Sequence, residues 1–151
     1  MNDTLLHVSV LVGAWLIVVL AVAVHYEALR FLGRTLGAHV HRRIGILLVM
    51  LGLLIAHMIE IWIFAIGYRI AAVTVGFGHL IGIENPGIFD YMYLSSMVYT
   101  TVGFGDVVPV GAVRMLAAAE ALTGLALITW SASFTFLAMQ RFWPAPLSGR
   151  D

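Results

Sequence analysis

Three apolar segments long enough to cross a lipid bilayer dominate this sequence. They cover residues 5–29, 44–68 and 114–142, and a transmembrane helix needs about 20 consecutive apolar residues. Of the 151 residues, 62% are hydrophobic and 11% are charged, whereas soluble domains carry roughly 25% charged residues. The first segment lacks a basic start and is too long for a signal peptide, so we interpret it as a retained helix. The pattern predicts an all-α membrane protein with three transmembrane helices.

The eight arginines lie unevenly on the two sides of these segments, and no lysine is present. Six lie in the predicted loop 30–43 or at the C-terminal end, and two lie on the other side: Arg30, Arg34, Arg42, Arg43, Arg141 and Arg150 against Arg69 and Arg114. Positive charge favours the cytoplasmic side of a membrane. The loop 30–43 and the tail 143–151 are therefore expected in the cytoplasm, with the N-terminus outside, in the cell membrane.

The pentapeptide TVGFG occurs twice, at residues 74–78 and 101–105. The first copy directly follows the second span, and the "HLIGIENPG" after it is too short and broken to return across a bilayer. We interpret residues 69–87 as a flexible outer turret and the repeat as chance.

The second copy follows a short apolar stretch, residues 88–100, that is too short to span a membrane. Asn85-Pro86 or Asp90 offers a helix start, because Asn and Asp cap helices and proline suits the first turn. Pro109 then breaks the chain before the third span. This arrangement predicts a re-entrant segment, in which a short helix descends into the membrane and residues 101–105 return outward.

The residue types at 101–105 suit the coordination of a dehydrated cation by backbone oxygens. Rings of carbonyls require alternating backbone conformations, which Gly103 and Gly105 adopt easily because glycine tolerates positive φ. The hydroxyl of Thr101 adds one more oxygen. We expect Val102 and Phe104 to point away from the axis and wedge the strand against the short helix.

The run Thr100-Thr101-Val102-Gly103-Phe104-Gly105-Asp106 resembles the selectivity filter of the potassium-channel pore-domain family. The outer helix 44–68, pore helix 88–100 and inner helix 114–142 flank it in the family's order, and the segment 5–29 is an additional helix. The resemblance implies a homotetramer in a lipid bilayer that conducts K⁺ passively, with K⁺ held at Thr101, Val102, Gly103 and Phe104. It implies no enzyme activity.

The chain departs from the family pattern at three places around the filter. Phe104 replaces the commoner tyrosine, and Tyr93-Leu94 stands where many relatives carry paired tryptophans. Met97 replaces a glutamate that in some relatives contacts the aspartate after the filter, so Asp106 is expected to lack that partner. A less selective monovalent cation channel therefore stays open as an alternative, as does a regulatory membrane subunit that does not conduct by itself.

Gly124 lies near the position where relatives carry a hinge glycine in the inner helix. Close helix packing is an equally good interpretation, since small residues are common at membrane helix contacts. A helical period assigns one face to the cavity and inner gate: Leu125, Ile128, Ala132 and Phe136.

Three ionisable residues inside the predicted spans are functional candidates, because charges there are unfavourable. His57 and Glu60 share a helix face, and Glu120 lies at a similar depth on the inner helix. We expect either a proton-sensitive cluster behind the filter, whose pH response Glu120→Gln would flatten, or a structural pair. His25 is expected at the membrane interface.

Other functions are less well supported by the residues. His25 and His57 could be axial haem ligands on separate helices, but nothing else favours haem. No cofactor, nucleic acid or small-molecule substrate is expected, and the absence of cysteine excludes thiol chemistry. Glu84, Asp90 and Asp106 would form an acidic outer mouth that concentrates cations.

Overall fold

The computed structural model of this protein describes residues 3–35 and 42–142. It contains four α-helices: α1, Asp3–Thr35; α2, Arg42–Arg69; α3, Ile88–Tyr99; and α4, Arg114–Phe142. Three of them are long and apolar enough to cross a membrane, over His7–Arg34, Ile44–Val73 and Arg114–Gln140. The prediction of an all-α membrane protein with three such helices and a shorter one is confirmed.

The helices extend further than the apolar segments that predicted them. Residues 30–35 and 42–43, expected in the loop 30–43, belong to α1 and α2. Arg30 donates a hydrogen bond to Glu27 at 3.0 Å, one turn before it, and such charged pairs support a helix outside the apolar layer. The rest of that loop, residues 36–41, and the predicted tail 143–151 lie outside the described residues.

The additional helix α1 packs against both α2 and α4. Small residues allow the close approach, as is common between membrane helices. A side chain at Gly67 would meet Ile17, and one at Gly52 would meet Leu32. The three long helices thus form one bundle, whose main core includes Ala21, Phe64 and Leu116.

The short helix α3 lies between α2 and α4 and buries Tyr91, Leu94, Ser95 and Tyr99. Its N-cap is Gly87 rather than one of the predicted starts, and the Asp90 carboxylate accepts the Gly87 N–H at 2.7 Å. Carboxylates near a helix N-terminus satisfy its free N–H groups and its partial positive charge. The chain before α3 is therefore anchored where it turns back into the bundle.

The first TVGFG runs from the end of a π-helical segment that follows α2, through a turn, to the start of a short strand. The helix continues as a π-helical segment, Ile70–Thr74, and Gly76 follows with φ +71°. The next residues form strand β1, Gly78–Ile81, which pairs antiparallel with β2, Val108–Gly111, beyond the second TVGFG. Part of the expected flexible turret is thus a strand that fixes the distance between the two copies.

Candidate functional site

The second TVGFG begins where α3 ends. The Thr101 N–H donates to the Val98 carbonyl at 3.0 Å, and the Gly103 N–H donates to the Met97 carbonyl at 3.1 Å. These bonds turn the chain back along the last turn of the helix. Residues 101–105 consequently start beside the partly negative C-terminal end of α3, a position that favours a cation.

Every second residue of this segment has a left-handed backbone. φ is +59° at Thr101, +53° at Gly103 and +79° at Gly105, whereas Val102 and Phe104 are not among the residues with positive φ. Rings of carbonyl oxygens around an ion require such an alternation of backbone conformations, some with positive φ. The alternation of positive φ at residues 101, 103 and 105 is therefore compatible with the carbonyl rings expected from the sequence.

Thr101 has this backbone although it is not a glycine. A positive φ in a β-branched residue is a real outlier, and such residues cost about 1–3 kcal/mol and concentrate at functional sites. The sequence predicts a hydroxyl ligand at Thr101 but gives no sign of its strained backbone, since only glycines signal positive φ.

The apolar side chains of the segment are largely uncovered in a single chain. Val102 is 53% exposed and Phe104 is 71% exposed, so neither is buried against the α3 of its own chain as a wedge. A Cβ at Gly103 or Gly105 would also meet no atom within 4 Å. One chain alone leaves both sides of this segment open.

Asp106, directly after the second TVGFG, makes a contact that is not predicted from the sequence. The Tyr93 hydroxyl donates a hydrogen bond to the Asp106 carboxylate at 2.7 Å, which raises the pKa of the Tyr93 phenol. Asp106 therefore has a partner on α3, one helical turn before Met97. Glu84 is exposed, whereas Asp90 is engaged at the start of α3.

The predicted cavity face of α4 is exposed in the single chain, at Leu125, Ile128, Ala132 and Phe136. Gly124, by contrast, is buried, and a Cβ there would overlap the carbonyl oxygen of Tyr99. This contact favours close packing as the reason for the glycine. Thr100 lies nearby, exposed, and its hydroxyl donates to the Ser96 carbonyl at 2.6 Å.

Comparison with known proteins identifies the family. A family model described as "Ion channel" matches residues 44–141. The chain belongs to the ion channel family. The match begins near the start of α2 and ends near the end of α4, so the pore of two transmembrane helices predicted from the sequence is confirmed, and α1 lies outside it.

Two relatives share parts of this channel. Protein LctB of Bacillus caldotenax is 39% identical over 70 residues, which cover 40% of this chain and 50% of the relative. Protein LctB of Geobacillus stearothermophilus is 57% identical over 35 residues, which cover 23% of this chain and 26% of the relative. The matches thus span half of the first relative's length and about a quarter of the second's. No solved structure matches the chain.

Behind the pore loop, the channel has a buried polar network that joins all four helices. Nδ1 of His25 lies 2.9 Å from Oε1 of Glu60, and Nδ1 of His57 lies 3.0 Å from Oε2 of the same carboxylate. The Tyr99 hydroxyl donates to Oε2 of Glu60 and lies 2.8 Å from Nδ1 of His57. Ser131 contacts the other nitrogen of both rings, at 3.0 Å from His57 and 3.4 Å from His25.

His25 is therefore a buried partner of Glu60 and not an interface residue, because α1 packs directly onto the pore helices. The geometry also disfavours haem. The ring centroids of His25 and His57 are 5.3 Å apart, and their nitrogens point at Glu60 and Ser131 rather than at a porphyrin between them.

Glu120 belongs to a second buried set. Its carboxylate accepts hydrogen bonds from Tyr68 and Ser95, each at 2.5 Å. Among the hydrogen bonds of the described residues, none joins Glu120 to Glu60. The expected cluster of His57, Glu60 and Glu120 is thus two adjacent sets, and both fasten α3 to the long helices.

Proposed function

We propose that this chain is one subunit of a homotetrameric, K⁺-selective channel that conducts passively through residues 101–105. The observation that carries the proposal is the left-handed backbone at Thr101, Gly103 and Gly105. This alternation supports the proposal because carbonyl rings around an ion need residues that tolerate positive φ. The ligands for K⁺ are the carbonyl oxygens of residues 101–104 and the Thr101 hydroxyl.

The proposal of a tetramer rests on the exposure of residues 101–105 in a single chain. A single row of oxygens cannot surround an ion, and irregular backbone at membrane depth is tolerated only where protein or a water-filled cavity surrounds it. Four copies around one axis would close the oxygen rings and cover Val102 and Phe104 with neighbouring chains. The exposed face of α4 would then line the inner cavity.

Electrostatics supports cation conduction along the whole axis. The C-terminal end of α3 is directed towards the start of the filter, and four such ends would stabilise a cation below it. At the outer end, Asp106 and Glu84 repeated fourfold would raise the local cation concentration. In the proposed orientation, this mouth and the N-terminus lie outside the cell, and the end of α4 lies in the cytoplasm.

The test is K⁺ efflux from liposomes that contain only this purified chain. Efflux above that of empty liposomes, from a particle with the mass of four chains, is expected. A tetramer without efflux would instead indicate a regulatory subunit. Equal efflux of Na⁺ and K⁺ would indicate a less selective cation channel. This is the second candidate, because Phe104 lacks the hydroxyl of the commoner tyrosine.

A further inference from the structure

The network of His25, His57 and Glu60 has the donor set of a transition-metal site. One donor atom from each of these residues lies within 4.8 Å of the others, and His25 and Glu60 are fully buried. We propose that these three side chains bind a Zn²⁺-class ion that links α1 to the ion-conducting part of the chain. The proposal does not depend on the selectivity of the pore.

The distances require only a small expansion to admit the metal. Two imidazole nitrogens lie 2.9 and 3.0 Å from the two oxygens of one carboxylate. Ligand atoms around a tetrahedral Zn²⁺ are about 3.3–3.6 Å apart, given metal–ligand bonds of about 2.0–2.2 Å. Each nitrogen–oxygen distance would therefore have to increase by only a few tenths of an ångström. Imidazole with carboxylate suits Zn²⁺ or Co²⁺, whereas Mg²⁺ prefers oxygen ligands alone.

The hydrogen bonds of Ser131 are a second reason to expect a metal at this site. Both histidines direct Nδ1 at Glu60 and Nε2 at the single Ser131 hydroxyl. If both rings are neutral and protonated at Nδ1, both Nε2 atoms are acceptors, and the hydroxyl has one proton for the two of them. A metal bound to the two Nδ1 atoms would remove this shortage of donors. Each Nε2 then carries a proton, and the two lone pairs of Ser131 Oγ accept both, as the outer partners of metal-bound histidines commonly do.

The site also has a fourth position and a route of entry. The Tyr99 hydroxyl lies 2.8 Å from His57 Nδ1, close enough to complete four-fold coordination or to hold a water there. The His57 side chain is 15% exposed towards a groove that is also lined by Thr100 and Ile128. A bound ion would be held by α1 and α2 together, so it would fasten the additional helix to the pore.

The experiment titrates Co²⁺ into the purified, unaltered protein and follows the visible absorption that four-coordinate Co²⁺ gives, with Zn²⁺ as the competitor. We expect one ion per chain and no competition by Mg²⁺. His57→Ala should weaken binding by more than about 100-fold. Ser131→Ala keeps all three ligands and should weaken it by about 10–100-fold, the usual effect of losing an outer partner.

Two controls separate this site from other histidines. His79→Ala, on strand β1, should leave binding unchanged. His39 and His41 are closely spaced in the sequence, so the double variant His39→Ala/His41→Ala must also retain the band. Absence of a four-coordinate Co²⁺ band in the unaltered channel, or a band lost only with His39 and His41, would overturn the proposal. These outcomes hold even if His57→Ala fails to fold.

Discussion

Replacing Gly103 by alanine should abolish K⁺ flux, whereas the same change at Gly76 should leave it nearly intact. The two glycines occupy the same position in the two TVGFG copies and have similar backbones, with φ of +53° and +71°. A Cβ at either would meet no atom within 4 Å. Alanine in a left-handed backbone costs roughly 1–2 kcal/mol per chain at each position, hence roughly 4–8 kcal/mol in a tetramer.

Since the two substitutions introduce similar backbone strain, a difference in K⁺ efflux between the variants shows which TVGFG copy takes part in conduction. Relief of strain at Gly103 rotates a carbonyl that we assign to an ion site, whereas relief at Gly76 moves only the turn after α2. The assay is K⁺ efflux from liposomes with equal amounts of each tetrameric protein, and thermal unfolding should show similar destabilisation of both. Equal loss of efflux would refute the assignment of a single filter.

Three further substitutions test the surroundings of the filter. Tyr93→Phe removes the hydrogen bond to Asp106 and should speed the loss of conductance when external K⁺ is lowered; unchanged currents would show that the contact is dispensable. Phe104→Tyr should slow that loss, provided that the added hydroxyl finds a partner, and equal behaviour of the two proteins would contradict it. Gly124→Ala pushes a Cβ into the Tyr99 carbonyl and should destabilise the channel by about 1–3 kcal/mol, as overpacking does; an unaltered unfolding temperature would argue against this contact.

Hydropathy was sufficient to predict the three long helices, because a bilayer demands long apolar runs whatever the tertiary contacts are. The short helix α3 was also predictable, within a residue at its C-terminal end, since the apolar stretch 88–100 runs up to the TVGFG motif; its N-cap, Gly87, was not predicted. Where charged residues continue the helices beyond the apolar layer, as at Arg30, hydropathy carries no signal.

The features that the sequence did not reveal depend on contacts between distant residues. His25 and Glu60 are 35 positions apart, and no local pattern indicates that α1 brings them together. The pairing of β1 with β2 joins short strands whose residues read as a loop. The left-handed backbone of Thr101 is likewise imposed by the turn at the end of α3 and not by its own preference, which is for negative φ.

The central claim is that the filter conducts K⁺ in preference to Na⁺. Its most direct test is the reversal potential of single channels in planar bilayers, with K⁺ on one side and Na⁺ on the other. The proposed function predicts a reversal potential close to the K⁺ equilibrium potential, which moves with the K⁺ gradient when Na⁺ is held constant. A reversal potential near zero with equal concentrations of the two ions would contradict K⁺ selectivity through residues 101–105.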